Sequence, residues 1–182
     1  MRFNKILIID DEPELRNLIK RLLELDGFYV LTAATFAEGI ECIKNNEIDI
    51  VVSDVKLPDG NGIDLLPVIK KYLPFSETII LTAYGKIEDG VKAIKSGAFD
   101  YIVKGDEDNK LLLVIKNAHE KVKLANRISN LEKKVLSKYT FDNINSSSQL
   151  IEDAISVAKK ASNSTSPILL VGETGTGKEV FA

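Results

Sequence analysis

Five short apolar runs, alternating with stretches of helical spacing, constrain what this chain can fold into more than any other feature. The runs are "KILII" (5–9), "FYVLTA" (28–33), "DIVVSD" (49–54), "ETIILTA" (77–83) and "FDYIVK" (99–104). Continuous apolar runs of this length suit strands buried on both faces rather than on one. Between the first two, Leu15, Leu18, Ile19, Leu22, Leu23 and Leu25 recur at helical spacing, with Pro13 in the first turn and Gly27 as the stop. The segments "TFAEGIECIKNN", "GIDLLPVIKKYL" and "KIEDGVKAIKSG" repeat the helical pattern. Strands separated by helices pair in parallel, because a parallel neighbour is reached only by a right-handed crossover, so a five-stranded parallel sheet covered by helices on both faces is predicted.

In an open sheet of this kind ligands sit beyond the carboxyl ends of the strands. Asp10 and Asp11 follow the first run, Asp54 closes the third, Thr82 the fourth and Lys104 the fifth. Any one of these could simply cap a helix or face solvent. Together, each at the end of a buried run, they gather three carboxylates, a hydroxyl and an ammonium on one rim. Crowded carboxylates are costly without a cation among them, and a hard ion such as Mg2+ takes one or two carboxylates with water completing its shell. A carboxylate beside Mg2+ can attack a phosphoryl group and form an acyl phosphate, with the metal and a lysine neutralising the transferred oxygens.

Composition excludes several alternatives. The 182 residues are 45% hydrophobic, enough for a real core, and a net charge of -3 gives no electrostatic footprint for nucleic acid. Cys42 is the only cysteine, which excludes an internal disulfide and suits a reducing cytoplasm. No stretch approaches the roughly 20 apolar residues of a membrane span, so no membrane partner is expected.

The stretches "ILIIDDE", "DIVVSDVKLPDGNGIDLL", "IILTAYG" and "GAFDYIVKG" resemble the receiver domain of bacterial two-component response regulators over about the first 120 residues. The resemblance implies a flavodoxin-like, doubly wound sheet of strand order 2-1-3-4-5. It also implies Asp54 as the phosphoacceptor for a sensor histidine kinase. Asp11 would be a direct Mg2+ ligand with Asp10 close by, and the backbone carbonyl of Lys56 would complete the protein ligands. Lys104 would pair with the phosphoryl group, and Thr82 and Tyr101 would form the switch pair. One position departs from the family pattern: Gly105 stands where proline usually follows the lysine in a cis bond, so a trans path is expected there.

Beyond this region, "LLLVIKNAHEKVKLANRISNLEKKVLSKY" has neither glycine nor proline and reads as one long helix. Its first part carries Ile115, Ala118, Val122 and Ala125 along one line. A second line, Leu124, Ile128, Leu131 and Val135, follows heptad spacing out of phase with the first. A coiled-coil dimer and a helix packed on its own domain are both open readings. His119 is expected to be a solvated helix residue. A second region begins near 141, with a helix "QLIEDAISVAKKAS" after a serine-rich cap and a strand "PILLV". Then comes the phosphate-cradling spacing Gly172, Glu173, Thr174, Gly175, Thr176, Gly177, Lys178, with Glu179 where the general motif has Ser or Thr. Successive N–H groups at a helix start hold phosphates, and the lysine reaches the terminal ones.

"GETGTGKE" after such a receiver is similar to the start of the AAA+ domain of NtrC-family activators that work with sigma-54 RNA polymerase. The resemblance implies a receiver over 1–120, a helical linker over 121–140 that is a candidate dimerisation segment, and the beginning of an AAA+ domain over 141–182. ATP would bind in the complete protein. Contacts with sigma-54 RNA polymerase and DNA would lie in regions this sequence does not contain. The chain is therefore expected to be a cytoplasmic, homodimeric signalling module and not an enzyme in its own right. The alternatives are a working P-loop ATPase and a scaffold that dimerises without phosphorylation. Residues after about Pro167 are expected to lack a sheet to join.

Overall fold

The computed structural model describes residues 4–83, 87–105, 108–138, 148–162, 167–173 and 178. The chain divides into two compact units, Met1–Asn126 and Arg127–Ala182. In the first, strands β1 (Lys5–Ile9), β2 (Tyr29–Ala33), β3 (Ile50–Asp54), β4 (Glu77–Thr82) and β5 (Asp100–Val103) alternate with helices α1 (Pro13–Leu25), α2 (Phe36–Asn45), α3 (Leu66–Tyr72) and α4 (Ile87–Lys95). All five strands are parallel, in the order β2-β1-β3-β4-β5. The alternation predicts the parallel sheet, and its strand order is the flavodoxin-like one that the receiver resemblance implies.

The uniform apolarity of the strands resolves into two faces with the period of two that a pleated strand imposes. Ile6 and Ile8 of β1, Ile50 and Val52 of β3, and Ile79 and Leu81 of β4 join one core with Ile19 and Leu23 of α1. Leu7, Ile9 and Val51 turn to the other face and meet Ile43 of α2 and Ile69 of α3. Ile80 packs there too, with Ala93 of α4 and, partly buried, Tyr101. Each such buried side chain is worth about 1.5–3 kcal/mol relative to exposure, so a one-residue slip of β1 would exchange both cores at once.

The predicted helix over 62–73 begins as a 3-10 turn, Gly62–Leu65, before α3. Pro67 lacks an N–H and sits in the first turn of α3, where that donor would have no helical partner anyway. Ahead of this turn, Lys56–Leu57 and Gly60–Asn61 pair as a two-stranded antiparallel ribbon. The ribbon returns so tightly that the Gly62 N–H donates to the Val55 carbonyl at 2.9 Å. A Cβ on Gly62 would lie 1.8 Å from the backbone oxygen of Asp54.

Helix α5 runs unbroken over Asp108–Lys138. Its first line of apolar residues packs on its own domain: Ile115 and Ala118 enter the core of β1 and α1, and Val122 is buried. Lys121 pairs with Glu77 at 2.7 Å, and Lys116 with Asp26 at 2.7 Å. The second line stays open, with Leu124 58%, Ile128 58% and Leu131 53% exposed; the side chain of Val135 is outside the described residues. His119 is half-buried, edge-on to the Phe28 ring at 5.5 Å, and so is not the solvated residue expected from its helical setting. The Phe28 ring precedes β2 and meets α5 only through the fold, which the local sequence of α5 does not show.

In the second unit α6 spans Gln149–Ala161, with Ser148 at its N-cap and the Ser148 carbonyl accepting from the Ile151 N–H at 3.0 Å. Pro167–Val171, read from the sequence as a strand, has no regular structure, and Leu169 and Val171 are exposed. A strand needs a neighbour for its backbone groups, and the described residues of this unit include no other strand.

Gly62→Ala is expected to lower stability by about 2–3 kcal/mol, the cost of forcing an extra methyl into a closed contact. Urea denaturation measures it, and a loss within 0.5 kcal/mol, about the range of an ordinary surface substitution, would contradict the contact.

Candidate functional site

The carboxyl ends of the strands bring Asp10, Asp54, Thr82 and Lys104 to one rim. Asp10 follows β1 and is fully buried, its N–H held by the Ala33 carbonyl of the neighbouring strand at 3.1 Å. Asp54 is the last residue of β3 and is 5% exposed. Thr82 is the buried last residue of β4, and its carbonyl accepts from the Lys104 N–H at 2.7 Å. That bond extends the β4–β5 ladder by one residue and aims Lys104 across the sheet end.

The Lys104 ammonium lies 2.6 Å from Asp54 Oδ2, 2.9 Å from Asp10 Oδ2 and 2.8 Å from Glu12 Oε1. Three carboxylates face this one ammonium, so carboxylates outnumber it on the rim. Burial works against the charged form of Lys104, but its hydrogen bonds to Asp54 and Glu12 and the adjacent Asp10 carboxylate outweigh it and hold its pKa above the ordinary lysine range. Asp10 shifts upward chiefly through burial and also through the charge of Asp54, against Lys104 and the Glu12 N–H, which donates to Oδ1 at 2.9 Å. The second oxygen of Asp10, Oδ2, is buried and within ion-pair distance of Lys104 but receives no directed hydrogen bond.

One oxygen from each of Asp10, Glu12 and Asp54 can be chosen so that all three lie within 4.8 Å of one another. Hard oxygens, those of Asp10 and Asp54 buried and that of Glu12 exposed, with Asp10 Oδ2 lacking a directed hydrogen bond, fit a divalent cation of the Mg2+ type. Asp11 is exposed and stands outside this group, while its neighbour Glu12 stands in it. Glu12 occupies the N-cap of α1, and the turn that starts the helix brings its side chain back over the rim. The third acid of "DDE" was the available signal for it. Arg16, one turn into α1, donates to the Asp10 carbonyl and adds a positive charge beside the group; its place in the helical pattern gives no sign of this.

The loop after Lys104 resolves the departure at Gly105. Its φ is +93°, a region that a proline ring cannot enter, and there is no cis bond among the described residues. Lys56 leaves β3 with its N–H 3.3 Å from Asp54 Oδ1. Tyr101 is half-buried on β5, and a Cβ on Gly90 of α4 would lie 3.2 Å from its ring. In the second unit the Lys178 ammonium bonds the Gly172 carbonyl at 2.7 Å and also the Glu173 carbonyl. Thr174, Gly175, Thr176, Gly177 and Glu179 lie outside the described residues.

The chain matches the response regulator receiver domain over residues 6–116 and the sigma-54 interaction domain over residues 144–182. It is 35% identical over 179 residues to a putative NtrX-like response regulator of Rickettsia bellii, covering 97% of this chain and 37% of that protein. It is 28% identical over 179 residues to the regulatory protein AtoC of Escherichia coli K12, covering 98% of this chain and 39% of that protein. It therefore spans less than two fifths of the length of these relatives. The beryllofluoride-activated NtrC4 receiver domain dimer, solved in solution, superposes with a TM-score of 0.63 at 34% identity, over 66% of this chain and 99% of that one. The chain belongs to the response regulator receiver family and, with its second matched region, to the sigma-54 response regulators of the NtrC type.

The raised pKa of Asp10 sets a sign. A carboxyl whose pKa is higher folded than unfolded contributes stability below its unfolded value, about 3.9, and loses it as pH rises through the folded value. The ionised form of Asp10 therefore opposes folding. Asp10→Asn is expected to raise the melting temperature in metal-free buffer at pH 7 and to abolish any further rise on adding Mg2+. A variant less stable than wild type under those conditions would contradict the electrostatic reading.

Proposed function

We propose that residues 1–120 form a phosphorylatable receiver that controls an attached sigma-54 activator, with Asp54 as the phosphoacceptor. The observation that carries this is the buried Asp54 carboxylate at the strand end, 2.6 Å from Lys104 and beside Asp10. One Asp54 oxygen attacks the phosphorus of a phosphohistidine on a sensor kinase, or of a small phosphodonor. The new O–P bond forms as the donor's P–N or P–O bond breaks; a leaving imidazole nitrogen takes a proton from solvent, and acetate leaves as the anion. Lys104 neutralises a transferred oxygen. Asp10, Asp11 and Asp54, with the Lys56 carbonyl, would hold Mg2+, and Glu12 lies close enough to join through water. Bound there, Mg2+ supplies charge neutralisation for the phosphoryl oxygens.

Thr82 and Tyr101 act as the switch pair, the hydroxyl at the end of β4 and the ring on β5 against α4. Residues 121–140 form the linker, and its open line of Leu124, Ile128 and Leu131 supports a homodimer. The NtrC4 relative, a receiver dimer in its activated state, supports the same reading. Residues 141–182 begin an AAA+ region, with Gly172–Glu179 as its phosphate loop for ATP. Contacts with sigma-54 RNA polymerase and DNA belong to other regions of the complete protein, and its place is the cytoplasm. Among the described residues no helix is long and apolar enough to cross a membrane.

Incubation with acetyl phosphate and Mg2+, followed by intact-mass measurement, is expected to show one added phosphoryl group in wild type and none in Asp54→Asn. Labelling that persists in the variant would overturn the assignment. In sedimentation equilibrium Leu131→Glu is expected to shift the linker-borne dimer toward monomer. A variant as dimeric as wild type would place the contact elsewhere.

A further inference from the structure

The ribbon that leaves β3 is pinned at its far end as well as at its root. At the root, Gly62 closes against the Asp54 backbone. At the tip, the Asp59 carboxylate reaches the start of α2. Its Oδ1 accepts from the Phe36 N–H at 2.6 Å and its Oδ2 from the Ala37 N–H at 2.9 Å. The helix start already has a local cap: Thr35 Oγ1 accepts from the Glu38 N–H at 3.1 Å, and Glu38 Oε2 accepts from the Ala34 N–H at 2.7 Å. Thr35 caps the Glu38 N–H and Glu38 reaches back past it to the Ala34 N–H, a variant of the capping box that leaves the N–H groups of the first two helical residues without partners inside the helix. Asp59 takes both. The next residue presses on the same helix turn, since a Cβ on Gly60 would lie 2.9 Å from the Phe36 ring.

We infer that Asp59 is a positioning residue for the cation site: by clamping the ribbon tip onto the N-terminus of α2, it fixes Lys56 relative to Asp54. This rests on the proposal that the Lys56 carbonyl serves Mg2+. The mechanical path is short. Lys56 pairs with Asn61 and Leu57 with Gly60, so the ribbon has only two rungs between the clamped tip and the metal-facing residue. Two rungs do not hold a ribbon by themselves. With both ends fixed, the Lys56 N–H stays at 3.3 Å from Asp54 Oδ1 and the rest of the residue is placed with it. The helix start favours the ionised carboxylate, chiefly through the Ala37 N–H and also through that of Phe36, and depresses its pKa. The clamp is therefore set at neutral pH.

The test is Mg2+ titration by calorimetry on the full chain, as wild type, Asp59→Asn and Asp59→Ala, with amide hydrogen exchange at Phe36 and Ala37 followed in the same samples. Asp59→Ala is expected to weaken Mg2+ binding about tenfold, the low end of the loss seen when a support behind a metal ligand is removed, and to speed exchange at both amides. Asp59→Asn keeps one carbonyl acceptor and is expected to fall between the two; it also serves if the alanine variant does not fold. A purely structural role would lower the melting temperature and leave the Mg2+ midpoint where it was. Wild type that binds Mg2+, together with variants that bind equally while both amides exchange faster, overturns the inference alone. Wild type that takes up no Mg2+ overturns the cation site itself, and this inference with it.

Discussion

One ammonium, that of Lys104, ties the site together. It comes from the end of β5 and meets carboxylates from the end of β3 and from the turn after β1, so it reaches across strands that are not neighbours in the sheet. Everything else at the rim is arranged so that this is possible. The buried runs place each polar residue at a strand end, the bond from the Lys104 N–H to the Thr82 carbonyl fixes where the lysine starts, and Gly105 turns the chain away immediately afterwards. The arrangement still leaves negative charge in excess around the ammonium, a setting that would favour a cation at the rim.

Much of this is legible in the amino-acid sequence. Continuous apolar runs ending in Asp, Thr and Lys specify a parallel sheet with a polar rim, because that topology buries both faces of the inner strands and brings all the strand ends together. The switch of faces within a run, Ile6 and Ile8 against Leu7 and Ile9, follows from the pleat alone. What the sequence hides are contacts between segments far apart in it. Asp59 and Phe36 are separated by 23 residues, and nothing local to "LPDGNG" says that its aspartate caps another helix. Glu12 reads as one more acid in a helix start, yet it shares Lys104 with Asp10 and Asp54. His119 reads as a surface residue of α5 until Phe28 is folded against it. The 167–171 segment fails in the opposite direction. Its apolar pattern is that of a strand, but a strand is a property of a pair.

Helix α5 gives the functional consequence a physical route. Its first turns are packed into the receiver core, where Ile115 and Ala118 meet β1 and α1, while Leu124, Ile128 and Leu131 further along remain open. In the proposed signalling module, a change at the packed end of α5 would be carried along the helix toward that open line. The coupling would begin at the rim, where Lys104, Thr82 and Tyr101 lie on or beside the two strands nearest α4.

The carboxylates around Lys104 would form a cation site whose place the lysine partly fills. Crystals soaked with Mn2+, a divalent ion that scatters anomalously, test it directly. An anomalous peak in contact with oxygens of both Asp10 and Asp54, with the Lys104 ammonium withdrawn from Asp10 but still beside Asp54, is the predicted result. No peak on this rim at saturating Mn2+, with Lys104 still bridging Asp10, Glu12 and Asp54, would contradict a cation site there.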